Sequence, residues 1–252
     1  MRKIIIIGAS SGIGAELAKL YALSGCMVGI SARREESLKE IADSCRNNII
    51  YLSMNVSYNY ADEGSKVYGA YDGFDELVKR LGGVDLVIFC AGYGKQTREL
   101  LLEQELATVD VNISGFVAIT TAAVNYFIKR EQGSITPQFV VISSVASLRG
   151  LGISASYSAA KRFQLTYLEG VDQLLRSKGI KVSFTSILPG FVATDFIGKK
   201  NYPFTLDKVY VAKKIASAIE KRKFRAVIDW KWRIVVALWE LIPNFIWRRI
   251  KL

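Results

Sequence analysis

Four consecutive isoleucines, Ile4, Ile5, Ile6 and Ile7, run directly into Gly8-Ala9-Ser10-Ser11-Gly12-Ile13-Gly14 and then into an amphipathic stretch over residues 15–23. An unbroken β-branched run with no polar alternation reads as a strand buried on both faces. Glycines let the chain turn sharply after it and let the backbone approach a ligand closely. The first amides of the following helix have no partner within that helix, so they face negative charge well. Strand, glycine turn and helix together predict the opening of an α/β sheet with a phosphate-bearing ligand at its carboxyl edge.

The remainder of the chain continues the alternation. Apolar strand patterns cover residues 26–32, 48–56, 85–90, 138–144, 181–188 and 225–229, and helical patterns cover 35–45, 74–82, 103–129, 157–176 and 206–221. Strands alternating with helices predict a Rossmann-type doubly wound parallel sheet of about seven strands flanked by helices. A chain of 252 residues, half of them apolar, is long enough to bury one such core without staples.

Composition narrows the chemistry. Histidine is absent, which excludes serine-histidine hydrolysis and histidine-bearing zinc sites and leaves Tyr, Lys, Ser, Cys and carboxylates. The three cysteines, Cys26, Cys45 and Cys90, are scattered as reduced thiols of a cytoplasmic protein would be, with no metal spacing. Met1-Arg2-Lys3 leads straight into the first strand, too short a prelude for a signal peptide. The formal charge of +11 fits a phosphorylated cofactor, an anionic lipid, an acidic carrier or a merely solvated basic surface. No nucleic-acid motif accompanies it.

Two positions carry more specific chemistry. The second strand ends at Ser31-Ala32-Arg33-Arg34, where a carboxylate would grip the ribose hydroxyls of NAD and arginine accommodates the 2′-phosphate of NADP. NADP(H) is therefore expected over NAD(H), with Arg33 the principal ligand and Arg34 either a second ligand or a solvated residue at the start of the next helix. Further on, Ser144 precedes Tyr157, which precedes Lys161 by four residues. On a helix that spacing sets the ammonium beside the phenol, where it would lower the phenol pKa, while Ser144 polarises a carbonyl oxygen.

The Gly-x-x-x-Gly-x-Gly turn, the serine at this distance before Tyr-x-x-x-Lys, and Pro189-Gly190-Phe191-Val192-Ala193-Thr194 closing the sixth strand resemble the classical short-chain dehydrogenase/reductase family over residues 3–229. The resemblance implies a catalytic set of Ser144, Tyr157, Lys161 and Asn112, with Asn112 supporting a proton relay to the lysine. It implies cofactor contacts from Gly8, Ser10, Ser11, Gly12, Ile13, Gly14, Arg33 and Arg34 at the adenosine end. Asn55 and Val56 would lie near the adenine, and Ala91, Gly92, Tyr157, Lys161, Pro189, Gly190, Val192 and Thr194 toward the nicotinamide. The implied activity is hydride transfer between NADP(H) and a carbonyl or secondary alcohol, and the implied assembly is a dimer or tetramer. Ile7, Asn55 and Cys90 depart from the family pattern, which has threonine, aspartate and asparagine there.

Residues 195–205 carry Phe196, Tyr202 and Phe204, which would either cover an apolar substrate or pack on the core. A domain over 1–229 leaves a tail over 230–252 that holds all four tryptophans, interleaved with Lys231, Arg233, Arg248, Arg249 and Lys251. Val235, Val236, Leu238, Leu241, Ile242, Phe245 and Ile246 form a wide apolar face on it. The run is too short to span a bilayer, so the tail is a peripheral membrane contact at the inner face, a subunit interface or an arm on the core. Two further readings stay open: a reductase of 3-oxoacyl chains on an acidic carrier, and a non-catalytic NADP-binding scaffold.

Overall fold

The structure is a computed structural model that describes residues 1–45, 48–57, 68–130, 135–198 and 202–250. Its elements alternate as β1 (Lys3–Ile7), α1 (Gly12–Leu23), β2 (Met27–Ala32), α2 (Glu35–Asp43), β3 (Ile49–Ser53), α3 (Ala70–Leu81) and β4 (Leu86–Phe89). They continue with α4 (Leu102–Val109), α5 (Gly115–Lys129), β5 (Gln138–Ile142), α6 (Ala155–Ser177), β6 (Ser183–Leu188), α7 (Lys208–Glu220) and β7 (Arg225–Val227). The tail forms α8 (Trp230–Leu241) and α9 (Asn244–Trp247). The seven strands make one parallel sheet in the order β3-β2-β1-β4-β5-β6-β7. Chain direction across the sheet reverses between β1 and β4, and the crevice beyond their carboxyl ends is where such sheets take ligands.

The isoleucine run is explained by the two layers it serves. Ile4 and Ile6 join Leu17, Leu38 and Ile215 from α1, α2 and α7, while Ile5 and Ile7 join Phe74, Phe116 and Leu168 from α3, α5 and α6. Side chains alternate across a strand, so both faces must be apolar when helices cover both. All four are essentially fully buried. Each such burial contributes roughly 2 kcal/mol.

The helix expected over 103–129 is real but not uniform. Among its residues Asp110–Ser114 form a π-helical turn between α4 and α5. The reason lies at Gly115, where an added Cβ would sit 2.3 Å from the Val56 carbonyl oxygen. The helix is pressed onto the end of the third strand there, and a widened turn is a local way to take up that approach. The whole run Leu102–Lys129 is long and apolar enough to cross a membrane by length and composition, but Phe116, Ile119, Ala123 and Phe127 are buried in the sheet layer.

Candidate active site

The glycine turn sits at the switch point. In register, Ile7 lies opposite Ser31 of β2 and Phe89 of β4. Gly8, at φ +86°, donates from its amide to the Ser31 carbonyl at 2.8 Å, and a Cβ on it would lie 2.4 Å from the Ala91 amide nitrogen. Only glycine satisfies both the left-handed backbone and that close approach. Gly12, at φ +58°, faces Thr194, whose Cγ2 would meet an added Cβ at 3.1 Å. Two motifs 182 residues apart thus share one crevice.

At the β2 tip the arginines differ. Arg34 Nη2 donates to both Ser10 and Ser11 hydroxyls at 3.0 Å, while Arg33 is exposed and its carbonyl accepts from Ser53 at 3.3 Å. The sequence points to Arg33 first; the structure brings Arg34 to the glycine turn, because Arg34 opens α2 and turns its side chain back across the crevice. Asn55 Oδ1 accepts from the Ser57 amide at 3.1 Å and so closes its own local turn. Ile13 is half-buried against the core layer that Ile4 and Ile6 serve, and Val56 is buried in the other.

Ser144 ends the stretch after β5, and Tyr157 and Lys161 lie one turn apart on α6. The Ser144 hydroxyl accepts from the Ala146 amide at 3.1 Å and lies near enough to the Tyr157 phenol to oppose the rise in its pKa. Lys161 Nζ lies 5.7 Å from the Tyr157 ring centroid and donates to the Ile142 carbonyl at 3.0 Å and to Gln164 Oε1 at 3.3 Å. Gln164 Nε2 in turn donates to the Asn112 carbonyl at 3.0 Å. Asn112, fully buried in the π turn, donates to the Tyr93 and Thr108 carbonyls at 2.5 and 2.8 Å. Its Oδ1 is buried without a hydrogen-bond partner among the described residues. A Cβ on Gly92 would meet that Oδ1 at 3.2 Å and Lys161 Nζ at 3.5 Å, so both groups face one small space.

Electrostatics correct one expectation. Burial pushes the Tyr157 phenol up to about 12, with the Ser144 hydroxyl acting against it, and burial lowers the Lys161 ammonium to about 8. The lysine therefore does not lower the phenol as its spacing implies. Removing both groups from water disfavours both charged forms, and the ammonium spends its hydrogen bonds on Ile142 and Gln164. The neighbouring Cys90 thiol is likewise pushed up to about 12 by burial, which keeps it protonated and inert.

The loop after β6 is held from several sides. The Pro189 carbonyl accepts from the Val145 amide at 3.0 Å, Val192 is buried, and Thr194 Oγ1 donates to the Val192 carbonyl at 3.3 Å. Gly190 lies against Trp232 of α8, an added Cβ there falling 1.9 Å from an indole carbon. Trp232 Nε1 donates to the Phe204 carbonyl at 3.1 Å, and the ring meets Phe191 edge-on at 5.6 Å. Phe191 stacks on Tyr202 at 4.0 Å. Phe196, half exposed, lies 5.5 Å from the Tyr157 ring. Of the loop's three aromatics, Phe196 faces Tyr157, while Phe204 packs toward the tail at 6.4 Å from Trp232.

The short chain dehydrogenase family matches residues 2–203. The chain belongs to the short-chain dehydrogenase/reductase family. An uncharacterized oxidoreductase of Myxococcus xanthus is 28% identical to it over 248 residues, covering 96% of this chain and 93% of that one. A short-chain dehydrogenase/reductase from Burkholderia phymatum, solved in complex with NAD, superposes with a TM-score of 0.78 at 20% identity over 94% of this chain and 92% of its own. A short-chain dehydrogenase from Sphingobium yanoikuyae, solved in complex with NADPH, gives 0.75 at 17% identity over 100% and 97%. This member of the family is an oxidoreductase with a seven-stranded Rossmann-like sheet.

The family departures have local explanations in this short-chain dehydrogenase/reductase. Ile7 is buried between Phe89 and Phe116, and Cys90 still donates its amide to the Ile7 carbonyl at 2.7 Å. The motifs leave four contributors unnoticed. Gln164, three residues past Lys161 on the same helix face, was within reach of helical spacing. Gly94 allows the Tyr157 ring to lie where a Cβ would be 2.6 Å from Cδ2. Trp232 and Arg149 tie the tail to the site's loops through contacts that no periodicity announces.

Proposed function

We propose that the protein is an NADP(H)-dependent carbonyl reductase, reversible as an alcohol dehydrogenase, acting on a hydrophobic or lipid-like substrate. The observation that carries this reading is the meeting of Tyr157 with Lys161 and with Phe196, which follows Thr194 of the Gly12 crevice by two residues. The residues fit a dinucleotide: Gly8, Ser10, Ser11, Gly12, Ile13 and Gly14 form a cradle that side chains would fill. Ala91, Gly92, Pro189, Gly190, Val192 and Thr194 would border the nicotinamide half. The cofactor supplies the hydride that the side chains lack. Arg34, drawn across to Ser10 and Ser11, with Arg33 exposed beside it, supports a 2′-phosphate and hence NADP(H).

At neutral pH Tyr157 is a neutral phenol, as a proton donor to a carbonyl oxygen must be, and Ser144 offers a second hydrogen bond to the same oxygen. Lys161, still largely protonated at pH 7, is held by Gln164, and its ammonium and the unpartnered Asn112 Oδ1 face one small space beside Gly92 where a water would carry the proton back toward Tyr157. The charge of +11 favours, as a second reading, a 3-oxoacyl chain presented on an acidic carrier. Exposed Leu100, Leu102, Leu106 and Val109 around α4 support a homo-oligomeric contact.

The test is NADPH and NADH fluorescence titration followed by NADPH consumption with apolar ketones, aldehydes and carrier-linked 3-oxoacyl chains. Turnover that Tyr157→Phe abolishes while NADPH binding persists is expected. Failure to bind either nucleotide overturns the reading. Turnover restricted to carrier-linked chains, and lost on reversing surface lysines and arginines, would favour the second.

A further inference from the structure

The C-terminal helices are seated on the core by one face only. Trp232 and Val236 are buried beside Val145, Leu165 and Leu188. Arg149 donates to the Trp239 carbonyl at 3.1 and 3.0 Å and to Asn244 Oδ1 at 2.7 Å, and Trp247 Nε1 donates to the Gly150 carbonyl at 2.9 Å. Arg149 also lies 5.4 Å from the centroid of Trp247. These contacts hold the tail against the loops on either side of the catalytic residues. A helix seated in this way ordinarily turns a polar face to water.

Here the outer face is apolar. Trp230, Ile234, Leu238 and Leu241 follow one another at spacings of four, four and three, which puts them on a single stripe. They are 61%, 52%, 57% and 77% exposed, and the stripe continues into Phe245, Ile246 and Ile250. The face expected from sequence is thereby divided: Val236 serves the core, Val235 and Ile242 are half-buried, and Leu238, Leu241, Phe245 and Ile246 stay outside. Around the stripe stand exposed Lys231, Arg233, Arg248 and Arg249, with Glu240 the one acidic side chain of α8 and α9. Lys251 lies outside the described residues.

We infer that this stripe docks in the plane of an anionic lipid surface. A second copy fits poorly, because it would bring the same cations against each other with only Glu240 to answer them. Anionic headgroups supply the opposite charge, tryptophan suits the headgroup boundary, and arginine and lysine stems reach past apolar surface to it. Twelve residues of α8 reach far less than a bilayer's thickness, so the helix lies along the surface. The inference draws on the proposed function only for its purpose, access to an apolar substrate.

Sedimentation of the full-length protein with phosphatidylcholine vesicles, with and without phosphatidylglycerol, tests it. Binding to the phosphatidylglycerol vesicles that weakens with salt is expected. Leu238→Ser with Leu241→Ser should abolish it, and Arg248→Ser with Arg249→Ser should weaken it roughly 30-fold, with circular dichroism and thermal unfolding showing both variants folded. Failure of the wild type to sediment with anionic vesicles overturns the inference, whether or not NADPH is turned over. A dimer that the leucine variants dissolve in ultracentrifugation also overturns it, naming a second copy as the occupant. Vesicle binding without nucleotide binding would instead count against the enzyme reading alone.

Discussion

Trp232 rests on Gly190 with no room for a methyl group between them, the nearest indole carbon lying 1.9 Å from where a Cβ would stand. The loop proposed to meet the nicotinamide is therefore shaped by a side chain of the tail. Gly190→Ala should force the indole from its seat and break its bond to the Phe204 carbonyl. Overpacking of this kind costs about 1–3 kcal/mol. Urea unfolding should register that loss, and NADPH affinity should fall with it. Trp232→Phe, which keeps one aromatic ring but removes the N–H donor and part of the indole's bulk, adds no crowding at Gly190 and should lose less NADPH affinity.

The buried lysine makes stability depend on pH in a definite direction. Lys161 titrates at about 8 in the folded chain against an ordinary value of 10.5. Below pH 8 folded and unfolded chains both hold the proton, and the burial penalty, on the order of 3 kcal/mol, is fully present. As pH rises from about 8 toward 10.5 the folded chain releases its proton first, and the penalty is relieved. Lys161→Met should flatten this rise in denaturation experiments. It should also stabilise the protein at pH 7 by about 1–2 kcal/mol, the unpaired Ile142 and Gln164 acceptors offsetting part of the gain. Activity should disappear in the same variant.

Local periodicity explains how much was legible beforehand. Ile4 through Ile7 announce a doubly covered strand because side chains alternate, and Tyr157 with Lys161 announce a shared face because helices repeat every 3.6 residues. Gly82, at φ +65°, ends α3 where the glycine pair implied. Nothing local announces the contact of Trp232 with Gly190, or the reach of Arg149 to a carbonyl 90 residues away. The π turn around Asn112 was hidden for the same reason, since it answers the close approach of Gly115 to Val56. Spacing points the Tyr157 shift the wrong way because it reveals a neighbouring charge and says nothing of how much water surrounds it.

Arg34 and Arg33 should separate in nucleotide binding. Both side chains are exposed, but Arg34 is held over the turn by Ser10 and Ser11. A charge-assisted contact to a 2′-phosphate is worth about 2 kcal/mol. Arg34→Ala should thus weaken NADPH roughly 30-fold and NADH much less, and Arg33→Ala should have the smaller effect of the two. Equal losses for both nucleotides in Arg34→Ala would mean that the guanidinium only braces the turn.

Gly94 offers a sharper probe of the catalytic geometry than any residue of the Tyr-x-x-x-Lys pair. A Cβ there would lie 2.6 Å from Tyr157 Cδ2 and 3.0 Å from Cγ. The ring has few ways to give, with Phe196 on it at 5.5 Å and Ser144 beside its hydroxyl. Gly94→Ala should therefore tilt the phenol out of line with a substrate carbonyl while leaving the glycine turn untouched. A displacement of about 1 Å at a reacting group can cost ~100-fold in rate. Steady-state kinetics should show kcat falling by that order with NADPH affinity nearly unchanged, and an unchanged kcat would show that the ring moves freely.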